Sequence, residues 1–264
     1  MRKYLEIAKI TFKLQIAYRF DVITGVLFSF ARILLAFILW SVMFRGKDTI
    51  AGFSFAAMMT YYIIMSFFRR LDLTDGIVWQ LSAEIREGQF SKYLVRPVRP
   101  LGYFVASALS KTAFVFGINL LATIGYGFIF RHYFLIRVSP VICLNAVLIW
   151  LLGLNFMILL SYFIAVLSFK FIDVGALNMI KGTILEFLTG ALIPLAILPG
   201  WLQEGMRLFP FYYVYYYPTM LFLNDQTGQI PAAILIMILW NGLMLAVISV
   251  GYGMLRRRYE GVGA

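Results

Sequence analysis

Six apolar blocks, at about residues 20–44, 51–69, 101–130, 140–169, 174–198 and 230–255, take up most of this chain. Apolar runs of about 18 residues or more read as helices that cross a bilayer. At about 1.5 Å per residue each block covers a hydrocarbon core of about 30 Å, the second barely and the third with tilt or overhang. Composition agrees: 62% of the 264 residues are hydrophobic and 13% charged, against about 45–50% and about 25% in soluble domains. The expectation is an all-α integral membrane protein with six transmembrane helices in a single domain over residues 1–264. No internal repeat and no linker divides it.

A seventh apolar and aromatic segment, 199–224, is cut by Pro199, Gly200, Pro210 and Pro218. That punctuation favours a broken or re-entrant element before the last span. The first block, Val22–Phe44, is longer than the ~7–15-residue apolar core of a signal peptide and follows about twenty residues, so a retained helix is expected.

Lysine and arginine placement orients the blocks. With the amino terminus inside, sixteen fall on inner segments and five (Arg45, Lys47, Arg131, Arg137, Arg207) on outer ones. This asymmetry predicts that both termini are cytoplasmic. It also accounts for the net charge of +11 without nucleic acid, since no soluble domain carries a basic face.

Residues 2–19 alternate Leu5, Ala8, Ile10, Phe12, Leu14 and Ile16 with Lys3, Glu6, Lys9, Lys13 and Arg19. An amphipathic helix in the membrane interface fits this pattern. It reads either as an anchor for the first span or as an entry surface for a lipid-like substrate. Cys143 is the only cysteine and lies in an apolar block, which rules out an intrachain disulfide. His132 is the only histidine, so no metal cluster is expected.

The one long polar excursion runs from Ile77 to Pro100, IVWQLSAEIREGQFSKYLVRPVRP. Asp75 or Thr74 suits an N-cap. Ile77, Leu81 and Ile85 recur at helical spacing beside Val78, and Gly88 suits a C-terminal cap. A second short turn over Phe90, Tyr93 and Leu94 is expected before Arg96-Pro97 stops it. The physics leaves two readings open: a rigid helix, 77–88, that contacts a soluble partner, or a solvated loop that only enforces topology.

The run EIREGQFSKYLVRPVRPL resembles the first cytoplasmic loop of ABC-2-type transporter permeases, particularly the six-span bacterial group. TGALIPLAILPGWLQEGMRLFPFYYVYYYP is similar to that family's proline-rich stretch between the fifth and sixth spans. The resemblance covers essentially the whole chain. It implies a permease in the bacterial cytoplasmic membrane that dimerises with an identical or related chain and binds two cytoplasmic ATPase subunits. Ile77–Gly88 would be the coupling helix: Ile77 and Leu81 on its apolar face, Glu84, Arg86 and Glu87 toward the ATPase, and Gly88 permitting the turn. The 199–224 segment would close the exit, with Trp201, Pro210, Tyr212, Tyr213, Tyr216 and Pro218 as an extracellular gate. An aromatic belt at headgroup depth explains the same tyrosines. The chain contains no G-x-x-x-x-G-K-[ST], so ATP and magnesium would sit on the partner ATPase and this chain needs no cofactor.

Charges inside apolar blocks each need an account, since one at mid-bilayer costs roughly 2.5–3.5 kcal/mol on insertion scales. Arg32 and Glu186 lie equally far into the first and fifth blocks, both rising from the cytoplasm. They are expected at the same depth as an ion pair, within a subunit or across a dimer interface. Lys111 has no evident partner. Asn119, Asn145, Asn155, Asn178 and Asn241 read as interhelical hydrogen-bonding groups.

The sequence thus points to an exporter permease whose cargo is amphiphilic or lipid-like. A secondary transporter or channel is the alternative, but it requires intramembrane carboxylates and Glu186 stands nearly alone. An integral membrane lipid-modifying enzyme lacks a His, Asp, Glu or Cys cluster to act with.

Overall fold

A computed structural model describes residues 2–17, 19–95, 98–171, 173–223 and 227–255. Arg96 and Pro97, the last residue of the 199–224 segment, and the inner cations Arg256, Arg257 and Arg258 lie outside that set. The described residues form twelve α-helices and no strand: α1 Arg2–Ala17, α2 Arg19–Met43, α3 Phe55–Arg70, α4 Asp75–Arg86, α5 Ser91–Val95, α6 Pro100–Ile129, α7 Pro140–Val166, α8 Gly175–Leu188, α9 Gly200–Met206, α10 Phe211–Val214, α11 Tyr216–Leu221 and α12 Ile230–Leu255.

Four segments are long and apolar enough to cross a membrane: Arg19–Met43, Pro100–Ile129, Pro140–Phe169 and Thr227–Gly253. The second and fifth apolar blocks give shorter helices. α3 starts only at Phe55, because Ile50 and Phe53 close a tight turn through Gly52 (φ 81°). Ser54 then caps the helix by accepting from the Ala57 amide at 3.2 Å. α8 stops at Gly190 (φ 74°), a left-handed residue after the helix end, where a side chain would be strained. At about 1.5 Å per residue, α3 spans about 24 Å and α8 about 21 Å.

Contacts fix the directions of the long elements. Arg70 at the end of α3 meets Asp21 and Val22 at the start of α2, while Phe37 of α2 meets Phe55. Thr112 Oγ1 donates to Leu71 O, and Asn119 Nδ2 to Phe67 O, so α6 runs against α3 and with α2. Phe104 at the start of α6 packs on Tyr162 late in α7, so these two run against each other. Asn155 Nδ2 donates to Asn241 Oδ1 at 2.7 Å and Phe163 lies beside Gly251, so α7 and α12 run together. α8 runs against α3, from Glu186 beside Arg69 to Gly190, whose carbonyl accepts from Tyr61.

Of the five amides, Asn119, Asn155 and Asn241 bridge elements. Asn145 instead bonds Val141 O in its own helix, and Asn178 Oδ1 is buried without a partner. Lys111 has no carboxylate partner among the described residues.

The amphipathic α1 packs along the first half of α6 in the same direction. The Arg99 amide meets the Tyr4 hydroxyl, Ser110 Oγ donates to Ala8 O at 2.6 Å, and Phe12 lies edge-on to Phe114. Its other face leaves Leu5, Ile10, Leu14 and Ile16 exposed.

Candidate functional site

Three groups of residues meet near the junction of α3 and α4: an ionic cluster, the α4 helix itself and the broken aromatic segment. The cluster centres on Glu186. Arg32 Nη1 of α2 lies 3.4 Å from Glu186 Oε1, and Arg69 of α3 bonds the same oxygen. The structure therefore brings Arg32 and Glu186 together and adds Arg69, a second cation that sequence reasoning had assigned to topology. Arg70, next along, donates to the carbonyls of Asp21 and Val22. An open cavity of about 530 Å³ between α2, α3 and the chain after α8 is lined by these side chains.

α4 begins where the expected cap fails. Thr74 occupies the N-cap, but its hydroxyl is buried without a partner, and its amide is instead held by Asp72 Oδ1 at 2.9 Å. The helix ends as the sequence suggested, with Gly88 left-handed at φ 74°. Ile77, Val78, Leu81 and Ile85 are buried; Val78 packs in a cluster with Ile164 and Val174.

Glu84 does not join Arg86 and Glu87 on the outer face. It is 7% exposed, with Oε1 accepting from Lys92 Nζ at 2.7 Å and from Gln80 Nε2 at 3.0 Å. The reason is the short helix α5. It folds back so that Lys92 and the buried Tyr93 cover this side of α4. An i, i+4 partner at Gln80 joins Lys92 on Oε1, while Oε2 is buried without a partner among the described residues. Burial, together with the negative charge of Glu84, pushes the Tyr93 phenol well above its ordinary pKa. The exposed residues along α4 and its turn are Asp75 and Gly76 at its start, then Trp79, Arg86, Glu87 and Gln89.

Two long-range links leave the start of α4. Lys181 of α8, itself buried, places Nζ 2.6 Å from Asp75 Oδ1 and 3.0 Å from Ser161 Oγ of α7. Tyr215, between α10 and α11, donates its hydroxyl hydrogen to Asp72 Oδ2. In the sequence Lys181 is one of sixteen inner-side cations and Tyr215 one tyrosine in a run. Nothing in local spacing pairs residues 106 and 143 positions apart.

The aromatic segment is interior. Pro210, Tyr212, Tyr213, Tyr216 and Pro218 are buried, as are Tyr215 and Tyr217, with ring centroids of Tyr212–Tyr213 and Tyr212–Tyr216 at 5.0 Å. Trp201 is separate: it stands at the surface, 74% exposed, on α9. Pro218 falls in the first turn of α11, where its missing N–H costs nothing. The segment reaches its place by a close approach of backbones: a Cβ on Gly153 of α7 would lie 2.9 Å from Val214 Cα.

No group of residues suited to hold a metal ion occurs among the described residues. His132 lies in a short 3-10 turn, and Cys143 is a free thiol.

Long apolar helices running in alternate directions around buried polar links define a multi-pass membrane protein. The family is also shown: the model of the ABC-2 family transporter protein matches residues 30–263, and the chain belongs to that family of membrane transport permeases. No curated protein and no solved structure matches it.

Proposed function

We propose that this chain is the permease subunit of an ATP-driven exporter of amphiphilic or lipid-like cargo, working in the bacterial cytoplasmic membrane with both termini inside. In this reading α2, α3, α6, α7, α8 and α12 make six crossings, the irregular chain around α3 and α8 completing the two short ones. The alternation of helix directions supports six crossings. A second permease, identical or related, closes the pathway, and the segment from α9 to α11 dips back from the outer side as its gate.

The observation that carries the reading is the situation of α4. Its inner face is buried, its outer face presents Trp79, Arg86, Glu87 and Gln89, and its start is tied to α8 through Asp75 and to the aromatic segment through Asp72. A push on the outer face is thereby delivered to two elements of the pathway at once. That is the arrangement a coupling helix requires when nucleotide is hydrolysed on another chain.

The test is co-purification with a P-loop ATPase encoded by a neighbouring gene. Arg86→Glu with Glu87→Arg should abolish the complex while leaving the thermal unfolding midpoint of the permease unchanged. Retention of the complex and of coupled hydrolysis would overturn the docking role.

A further inference from the structure

The groove beside Arg32 carries more positive charge than its own carboxylate can balance. Three guanidinium groups, those of Arg32, Arg69 and Arg70, line the cavity of about 530 Å³ against one carboxylate, Glu186. Arg32 and Arg69 both lean on the same Glu186 oxygen, and Arg70 bonds backbone carbonyls while its buried Nε has no partner. Arg70 fits there because Gly25 has no side chain: a Cβ would fall 1.6 Å from Arg70 Nη2. The fold has set aside space on α2 for this cation.

Beyond the charged end the walls are apolar. Leu35 and Leu39 line the groove from α2 past Arg32 and are strongly exposed there, and Met65 lines it from α3, while Phe28 lies between Arg32 and Arg70 at the charged end. Arg32 to Leu39 covers about 10 Å of one helix face. An excess of cations at the head of an apolar trough, in an element that crosses the membrane, matches a ligand with an anionic head and an aliphatic tail. Guanidinium groups favour phosphate, which they grip through paired N–H donors. The volume falls within the usual range of small-ligand pockets, about 300–1,000 Å³, and the open side lets a longer tail lie in the surrounding lipid.

We propose that this groove binds an anionic phospholipid-like amphiphile, with Arg32 and Arg69 taking the phosphate, the apolar face past Arg32 at Leu35 and Leu39 taking the upper part of one acyl chain, and Glu186 acting as the internal anion that the headgroup displaces. The proposal rests on the permease reading for its role as a cargo or lipid-entry site, and it names the class of molecule for which that reading left only a general description.

The test uses the full chain, purified in detergent without any ATPase and doped with equal amounts of phosphatidylglycerol and phosphatidylcholine, with retained lipid read by native mass spectrometry. Phosphatidylglycerol should be retained about tenfold over phosphatidylcholine. Arg32→Ala with Arg69→Ala should erase the preference, and Glu186→Gln should raise it by freeing both cations. Because the double alanine variant removes charges that support folding, Leu35→Trp provides a second variant that fills the trough and leaves the ions in place; it too should lose the retained lipid.

Millimolar inorganic phosphate should fail to displace the lipid; complete displacement would show a soluble-anion site and overturn the acyl-chain part. Equal retention of the two lipids, or a preference unchanged in both variants, would overturn the proposal. So would a disulfide-linked dimer formed quantitatively by Leu35→Cys in membranes, since a second copy would then cover the trough. Lipid selectivity without an ATPase complex would leave the groove standing and sink the ATP-coupled reading, and the converse result would do the reverse.

Discussion

The Tyr215 hydroxyl donates to the carboxylate of Asp72, whose other oxygen holds the Thr74 amide at the start of α4. One side chain thus joins the buried aromatic segment to the helix that we assign to ATPase docking. Tyr215→Phe removes the donor and keeps the ring. A hydrogen bond to a charged group contributes about 1.5–3 kcal/mol, so a lower unfolding midpoint is expected together with faster amide exchange in the first turn of α4. If the link transmits force, hydrolysis by the bound ATPase should persist while transport falls. Unchanged transport in Tyr215→Phe would remove this path.

Arg32 and Glu186 do not form an isolated pair, and a charge swap is sensitive to that. Glu186→Arg combined with Arg32→Glu restores one attraction but puts a second guanidinium against Arg69. The double variant should therefore remain less stable than the wild type, whereas adding Arg69→Glu should recover part of the loss. Because the groove is open and Arg32 is about half exposed, each pairing should be worth only about 1 kcal/mol. Thermal unfolding in detergent ranks the three variants.

The Lys181–Asp75 pair is lopsided: the lysine side chain is 6% exposed and the aspartate 66%. Removing the aspartate leaves a cation buried beside Ser161, and removing the lysine leaves a carboxylate that water can reach. Asp75→Asn is expected to cost about 3 kcal/mol, the penalty of an uncompensated buried charge. Lys181→Met should cost clearly less. The reverse order in unfolding midpoints would contradict the burial of Lys181.

Glu84 separates stability from docking. Glu84→Arg forces a guanidinium against Lys92 in a covered site and should reduce expression and thermal stability. Arg86→Glu with Glu87→Arg, on the outer face, should leave both unchanged and abolish ATPase capture. Size-exclusion profiles and co-purification distinguish the two effects.

What the sequence disclosed follows from the range of its signals. Apolar length located every long helix, and the spacing of Ile77, Leu81 and Ile85 with Gly88 located α4 and its end, since periodicity and capping act within one helical turn or two. The same signals overstated the regular part of the second and fifth blocks, where Gly52 and Gly190 take left-handed conformations that shorten α3 and α8. The cluster was half legible. Equal depth suggested Arg32 with Glu186, but Arg69 and Arg70 sit where topology also calls for arginines, so their charge carried no distinct message. Glu84 was misplaced on the docking face because local periodicity does not foresee α5 folding back over it. Tyr215 and Asp72 were illegible as partners, because nothing local links a tyrosine in a run of tyrosines to one aspartate in a distant loop.

Where Gly153 meets Val214, two backbones touch with no side chain between them. Side chains interlock beside it, Phe156 of α7 lying edge-on to Phe211 of α10 at 5.7 Å, so this close approach is the tightest point of a keyed contact. Gly153→Ala would act as a fixed wedge one methyl thick, holding the segment off its seat, and the transporter would then be expected to leak in the absence of nucleotide rather than to stall.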